Sequence, residues 1–299
     1  MLSNTPGNRK ARMWLLIPLW TTLPITTGLA FTEAVETRSY AVRAVVLALL
    51  WFGWIVGLFA VLVHRTWALT AMRIVVPLSF LCSLITLFSS HVSIAHALLA
   101  IVTIGGALIL SFTPTFAQQT VNGLAYADEE RFVCKIPPSL LLGALPITVV
   151  LIGIGLSAGP LLIAADNTAF GVIAIVIGFP LSVFACRLLH RLSKRWIVLV
   201  PAGITLVDQW TLAEPVLYSH SQIVSIGKSA GKNSQDHVAD LRLGAVFHSI
   251  GLNLDDRVSL QLRKGRSTQK IRTDCILIAP EDPVRFLAVY NERAKLLNR

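Results

Sequence analysis

The chain has 299 residues, of which 54% are hydrophobic and only 14% charged, against about 25% charged in ordinary soluble domains. A mean hydropathy of +0.68 excludes a plain water-soluble globule and makes lipid part of the solvent. The net charge of +10 would raise nucleic acid as a partner for a soluble protein. Here many basic residues stand beside apolar runs, where retention on the cytoplasmic side of a membrane accounts for them, and no nucleic-acid partner is expected.

Arg9, Lys10 and Arg12 precede the first apolar stretch and give it the look of a signal peptide. The stretch from Met13 to Phe31 is too long for a signal core and has no convincing small-residue cleavage site. It is read as a first span behind a cytoplasmic segment, residues 1–12. A hydrocarbon core takes ~20 apolar residues to cross. Further segments that qualify are Tyr40 to Val63, Trp67 to Phe88, Val92 to Phe112, Leu140 to Ala165 and Thr168 to Leu189. The expectation is a transmembrane α-helical bundle of about six helices over residues 13–190, with both termini on one side. Arg65, Arg131, Lys135, Arg187, Arg191, Lys194 and Arg195 join the N-terminal basic residues on one face, against Arg38 and Arg43 on the other. That bias places both termini in the cytoplasm of a multi-pass cell-membrane protein. Trp14, Trp20, Trp51, Trp54, Trp67 and Trp196 lie near span ends, where an indole anchors at the interface.

Chemistry inside the spans is sparse. Arg73 lies about two turns from a cytoplasmic end, near enough for its stem to snorkel out. His96 is the one other ionisable residue well inside a span, with no intramembrane Asp or Glu beside it, and a hydrogen-bonded packing role is expected. His64 and His91 sit at span ends. An ion-coupled transporter, which needs ionisable groups at mid-membrane, is disfavoured. Pro18, Pro24, Pro77, Pro146 and Pro180 should kink their spans. Gly53 with Gly57, and Gly155 with Gly159, form steps that let helices approach closely, in a compact bundle or at a self-association face. Cys82, Cys134, Cys186 and Cys275 have no paired spacing, so neither a disulfide framework nor a zinc site is expected.

The longest connection within the bundle, Thr113 to Pro138, carries Asp128, Glu129, Glu130, Arg131 and Lys135 after a neutral Gln118, Gln119 and Asn122 stretch. No His or second carboxylate cluster accompanies the acidic triplet, so a solvated helix end facing the basic C-terminal region is expected rather than a metal site.

From Trp196 the pattern changes to short alternating runs: WIVLV, ITLV, PVLY, QIVSI, ADLRL, GLNL, VSLQL and TQKIRTDCILI, separated by turn signals at Pro201 with Gly203, Asn253 to Asp256, and Gly265. Asp282 as N-cap and Pro283 in the first turn then open a helix with Phe286, Leu287, Tyr290, Ala294 and Leu297 on one face. Residues 196–299 therefore read as about seven strands closed by a helix, a small α+β domain large enough for its own core.

Strand, turn and strand in RWIVLVPAGITLVD, a strand through PVLYSHSQIVSI, and the last capping helix resemble the bacterial pleckstrin-homology-like (PH-like) domains appended to membrane helices. The whole chain resembles an uncharacterised family of actinobacterial multi-pass membrane proteins with such a tail. The resemblance implies a PH-like β-barrel or sandwich with a C-terminal capping helix. It carries over no reaction and no catalytic residue.

Phosphoinositide-binding relatives of that fold use basic residues in the first strand connection, which here is the uncharged Pro201, Ala202 and Gly203. Basic residues gather instead around a later hairpin, as Arg263, Lys264, Arg266, Lys270 and Arg272, where each near an anionic leaflet would contribute up to ~1 kcal/mol. They are the candidate contacts for anionic lipid or a partner; the alternative is a solvated hairpin tip that keeps the domain soluble. Only His190 to Arg195 join the last span to the first strand, which ties the domain close to the membrane. GKSAG, Gly227 to Gly231, matches a nucleophile elbow, with Asp240 and His248 downstream, but a polar KNSQD run follows where the elbow requires a helix, so a loop is expected. No catalytic residue, cofactor or metal is assigned. The expected role is a non-enzymatic interaction or assembly module that binds a protein partner or anionic headgroups, the alternative being a transporter of a neutral or lipidic substrate.

Overall fold

A computed structural model describes residues 15–123, 125–126, 128–228, 238–265 and 267–297. The side chains of His248, Lys264, Leu296 and Leu297 also lie outside the description. Trp14, the N-terminal basic residues, Arg266 and Ser229 to Gly231 fall outside the described residues. The chain divides into two compact units, Met1–Thr120 with Leu145–His190, and Val121–Ala144 with Arg191–Arg299.

The first unit holds helices long and apolar enough to cross a membrane: α1 (Leu15–Ala34), α2 (Tyr40–Leu62), α3 (Thr66–Thr86), α4 (Ile94–Ser111), α6 (Leu140–Ala164) and α7 (Thr168–Ser193). A short α5 (Pro114–Asn122) follows α4. The spans begin and end within a few residues of where hydropathy places them, because length and apolarity dominate that signal. Their ends follow local chemistry: the Ser39 side chain accepts the Val42 N–H at the start of α2. A π-helical turn at Leu140–Ala144 directly precedes Pro146, where the missing N–H breaks the regular ladder.

Helix α3 is the centre of this unit, with 44% of its span buried against 17–28% for the others. It packs on α1, α2, α4 and α6. Close approaches between helices are built on the glycines. A Cβ on Gly57 of α2 would stand 2.1 Å from the Trp20 indole, and one on Gly155 of α6 would stand 2.6 Å from the Gly178 carbonyl of α7. Gly159 likewise faces Ile175 and Gly171 of α7. Both glycine steps are thus filled by helices of the same chain.

The second unit contains two four-stranded sheets and a closing helix. One sheet runs in the order β1 (Glu130–Val133), β2 (Arg195–Val200), β3 (Gly203–Asp208), β4 (Val216–Ser219), all antiparallel. The other contains β5 (Ile223–Lys228), β6 (Val238–Asp240), β7 (Ile250–Lys264) and β8 (Ser267–Ile278), ordered β5-β7-β8-β6, with β6 parallel to β8. Helix α8 (Pro283–Leu297) opens with the Asp282 carboxylate accepting the Arg285 N–H, the cap expected from sequence. Phe132, Ile197, Leu206, Leu252, Leu260, Ile276 and Phe286 belong to one core shared by both sheets and the helix.

The layout of the C-terminal module departs from the sequence reading. The C-terminal module is larger than residues 196–299, because ERFV from the connection after α5 pairs with β2, from Glu130 with Leu199 to Val133 with Trp196. The Asn253 to Asp256 turn signal does not break the chain into two strands; β7 continues, and the register slips between Asn253 and Val258, five residues on β7 against two on β8.

Candidate functional site

Arg195, counted in the sequence as a membrane-flanking charge, is buried inside the module at 2% exposure, ion-paired to Asp208 at 2.8 Å. Its Nη2 donates to the Leu241 carbonyl at 2.8 Å, and its own carbonyl accepts the Cys134 N–H at 3.0 Å. Asp208 in turn accepts the N–H groups of Trp210 and Thr211, which satisfies a carboxylate that burial would otherwise penalise. The pair therefore joins β2, β3, the segment after β6 and the segment after β1, two residues beyond the end of α7. Burial beside it pushes the Cys134 thiol up to about 12, so that sulfur is inert. All four cysteines are unpaired.

From this hub a second set of bonds leads to the basic hairpin. The Leu212 N–H donates to Asp208 O, Thr211 O accepts the Arg263 N–H at 2.8 Å, and Ala213 N–H reaches Gln261 O at 3.0 Å. The far half of β7 is thereby anchored beside Asp208. Residues paired across a sheet share a face and alternate along each strand. Ser259 with Arg272, Gln261 with Lys270, and Arg263 with Thr268 are such pairs, and all six are exposed. Arg263, Lys270 and Arg272 therefore stand together on one solvent face, while Leu260 and Ile271 turn to the core. Asp274, two residues beyond Arg272 on β8, is matched by Arg257 at 3.5 Å. Gly265, at φ 64°, supplies the left-handed residue that a two-residue turn between Lys264 and Ser267 requires.

A third feature leaves the hub at Leu241. Arg242 donates Nε and Nη2 to the two oxygens of Asp240, at 2.9 and 2.7 Å, and Nη1 to Ser249 Oγ at 3.0 Å. Burial resists ionisation of Asp240, but the hydrogen bonds and charge of Arg242 outweigh it and hold the carboxylate below its ordinary range. Asp240 is thus committed to Arg242, and Gly227 and Lys228, the first two residues of GKSAG, end strand β5.

Two members of the acidic triplet are engaged at the sheet. Glu130 pairs with Arg285 of α8, Glu129 with Arg131, and Asn122 bonds both the N–H and the carbonyl of Arg131 at 2.8 Å. The Arg131 guanidinium lies over Trp196 at 5.9 Å, so that indole serves the module's packing. A solvated helix end was expected; a strand with both edges occupied is found, since Cys134 and Lys135 also pair with Pro280 and Ala279.

In the first unit, His96 is not alone: its Nδ1 lies 2.7 Å from Glu33 Oε1, and Glu33 Oε2 accepts the Ser93 N–H. Helix α1 runs to Ala34, beyond the predicted end at Phe31, and brings that carboxylate to the first turn of α4. Arg73 is 6% exposed, turned into the bundle rather than out along its surface. Trp20, expected as an interfacial anchor, is fully buried, and its indole donates to Trp54 O while the Trp54 indole donates to Trp20 O, at 3.0 and 2.9 Å. Pro24 has no N–H to offer Trp20 O, which leaves that carbonyl open to its partner. Beside this exchange runs a groove of about 550 Å³, lined by Trp20, Pro24, Thr27, Leu50, Trp51 and Ser79 among others.

No known protein family, curated protein or solved structure matches the chain.

Proposed function

We propose that this chain is an integral protein of the bacterial cytoplasmic membrane, with both termini in the cytoplasm, whose C-terminal PH-like module acts by binding rather than by catalysis. Its ligand is the anionic headgroup layer of the leaflet. The observation that supports this is the placement of Arg263, Lys270 and Arg272 on one exposed hairpin face whose root is bonded, through Thr211 and Asp208, to Arg195, two residues after α7. Lys264 and Arg266 belong to the same cluster by sequence. At up to about 1 kcal/mol for each charge held near an anionic surface, the three described residues account for roughly a hundredfold in affinity.

The test uses the full chain held in phosphatidylcholine nanodiscs and floated with phosphatidylglycerol vesicles. The native chain should rise with the vesicles, and the Arg263→Glu, Lys270→Glu, Arg272→Glu variant should lose most of that association. A variant that floats as well as the native chain overturns the headgroup reading. Capture of an acidic protein in place of vesicles also overturns it and makes the hairpin a protein-docking face.

The groove beside Trp20 and Pro24 favours a second reading, a transporter of a neutral or lipidic substrate, because it is apolar and borders a proline-broken helix. A chain that moves no fluorescent lipid analogue between the leaflets of proteoliposomes removes that reading.

A further inference from the structure

The segment between β6 and β7 presents apolar side chains to solvent: Leu243 is 36% exposed, Val246 46% and Phe247 93%. Scattered apolar residues are ordinary on a surface, but these lie within five residues of one another and on a pinned backbone. Leu243 holds φ 53° and Gly244 φ 95°, the first a conformation that L residues rarely enter. One guanidinium keeps the loop in that shape, since Arg242 bonds Asp240 at its start and Ser249 at its end. The tip is thus presented already folded, with little ordering left to lose on contact.

We propose that Leu243, Val246 and Phe247 insert into the interfacial layer of the bilayer that holds the helices. The loop is rooted at Leu241, whose carbonyl is bonded to Arg195, and Arg195 follows the end of α7 by two residues. Between Asp240 and Asp255 the chain has no carboxylate to oppose a lipid surface. An aromatic with two aliphatic neighbours is the composition that partitions to the acyl boundary, with affinity scaling with the apolar area immersed. The loop and the basic hairpin are bonded to the two halves of one ion pair, Arg195 and Asp208, so headgroup attraction and apolar insertion would act together. The proposal rests on the reading that the module works at the leaflet but does not need the hairpin's preference for anionic lipid.

The test places p-benzoylphenylalanine at position 247 of the otherwise native full chain, in nanodiscs of phosphatidylcholine alone and of phosphatidylcholine with phosphatidylglycerol. Illumination should yield a protein carrying the mass of one phospholipid in both compositions. The same probe at Val224, which is 65% exposed on β5, should yield none. Equal lipid adducts at both positions, adducts to a second copy of the chain, or no adduct at 247 each overturn the proposal. Adducts that need phosphatidylglycerol overturn it too, since apolar insertion does not require charge. A failure of the headgroup reading shows separately, in vesicle flotation of the hairpin variant.

Discussion

Arg195 and Arg242 both count toward the basic total, and both are spent inside the C-terminal module, one at 2% and the other at 6% exposure. In the second pair, Arg242 and Asp240 shift in opposite directions. Arg242 is held above its ordinary value by Asp240, so its contribution is present at every pH below that range and is lost only in strong alkali. Asp240 is held below its ordinary value, so its contribution is complete above the unfolded carboxylate range, near pH 4, and is lost as pH falls through the lower folded value. Because the Asp240 side chain is 48% exposed, solvent screening keeps the fork to under about 1 kcal/mol. That is enough to govern a local opening. Hydrogen exchange over residues 242–249 should accelerate as pH drops from about 5 to about 3 once intrinsic rates are divided out, and Asp240→Asn should show the faster exchange at all pH values. An acid response in the variant as large as in the native chain would assign the effect to another group.

At the scale of elements, α1 and α2 are locked by a single exchange, each tryptophan indole bonding the other's carbonyl, and the exchange exists because Gly57 leaves room for the Trp20 ring. Gly57→Ala puts a methyl where the indole must sit, an overpacking that costs typically 1–3 kcal/mol. The unfolding temperature of the detergent-solubilised chain should fall by several degrees, whereas Gly28→Ala, where the added methyl meets nothing within 4 Å, should leave it unchanged or slightly raised. The helices themselves were legible because a span is written in some twenty consecutive residues. The indole exchange was not, since no local pattern pairs Trp20 with Trp54. Nor was Glu33, which lies just past the apolar run yet meets His96 once α1 continues to Ala34. The basic hairpin was legible as a cluster, because β7 and β8 adjoin in sequence. Its common face needed the register, and its bond to Asp208 through Thr211 needed the fold. Strand β1 was invisible for a related reason: four residues in a polar connection carry little β signal, and their partner stands more than sixty positions away.

At the scale of the molecule, that hidden strand means that the two units do not follow one another along the chain. The module begins in the last turn of α5, at Val121, breaks off after Ala144 and resumes at Arg191, in the last turn of α7. Phe132, 1% exposed, meets Phe286 of α8 edge to face at 5.2 Å, and Glu130 pairs with Arg285. A fragment of residues 191–299 would lose all of this. It would leave a core hole of the kind that costs about 3–5 kcal/mol for a large aromatic and expose the β2 edge, an invitation to aggregate. Such a fragment should give a poorly dispersed amide NMR spectrum and a broad thermal transition. The same fragment carrying residues 121–138 through a flexible N-terminal linker should give a dispersed spectrum and a cooperative transition, because the strand needs only to find its edge. If residues 191–299 fold as sharply alone as with the added strand, β1 is an accessory and the module is the contiguous domain its sequence pattern describes. If the linked form alone folds, the connection between α5 and α6 is part of the module, and Phe132 is part of its core.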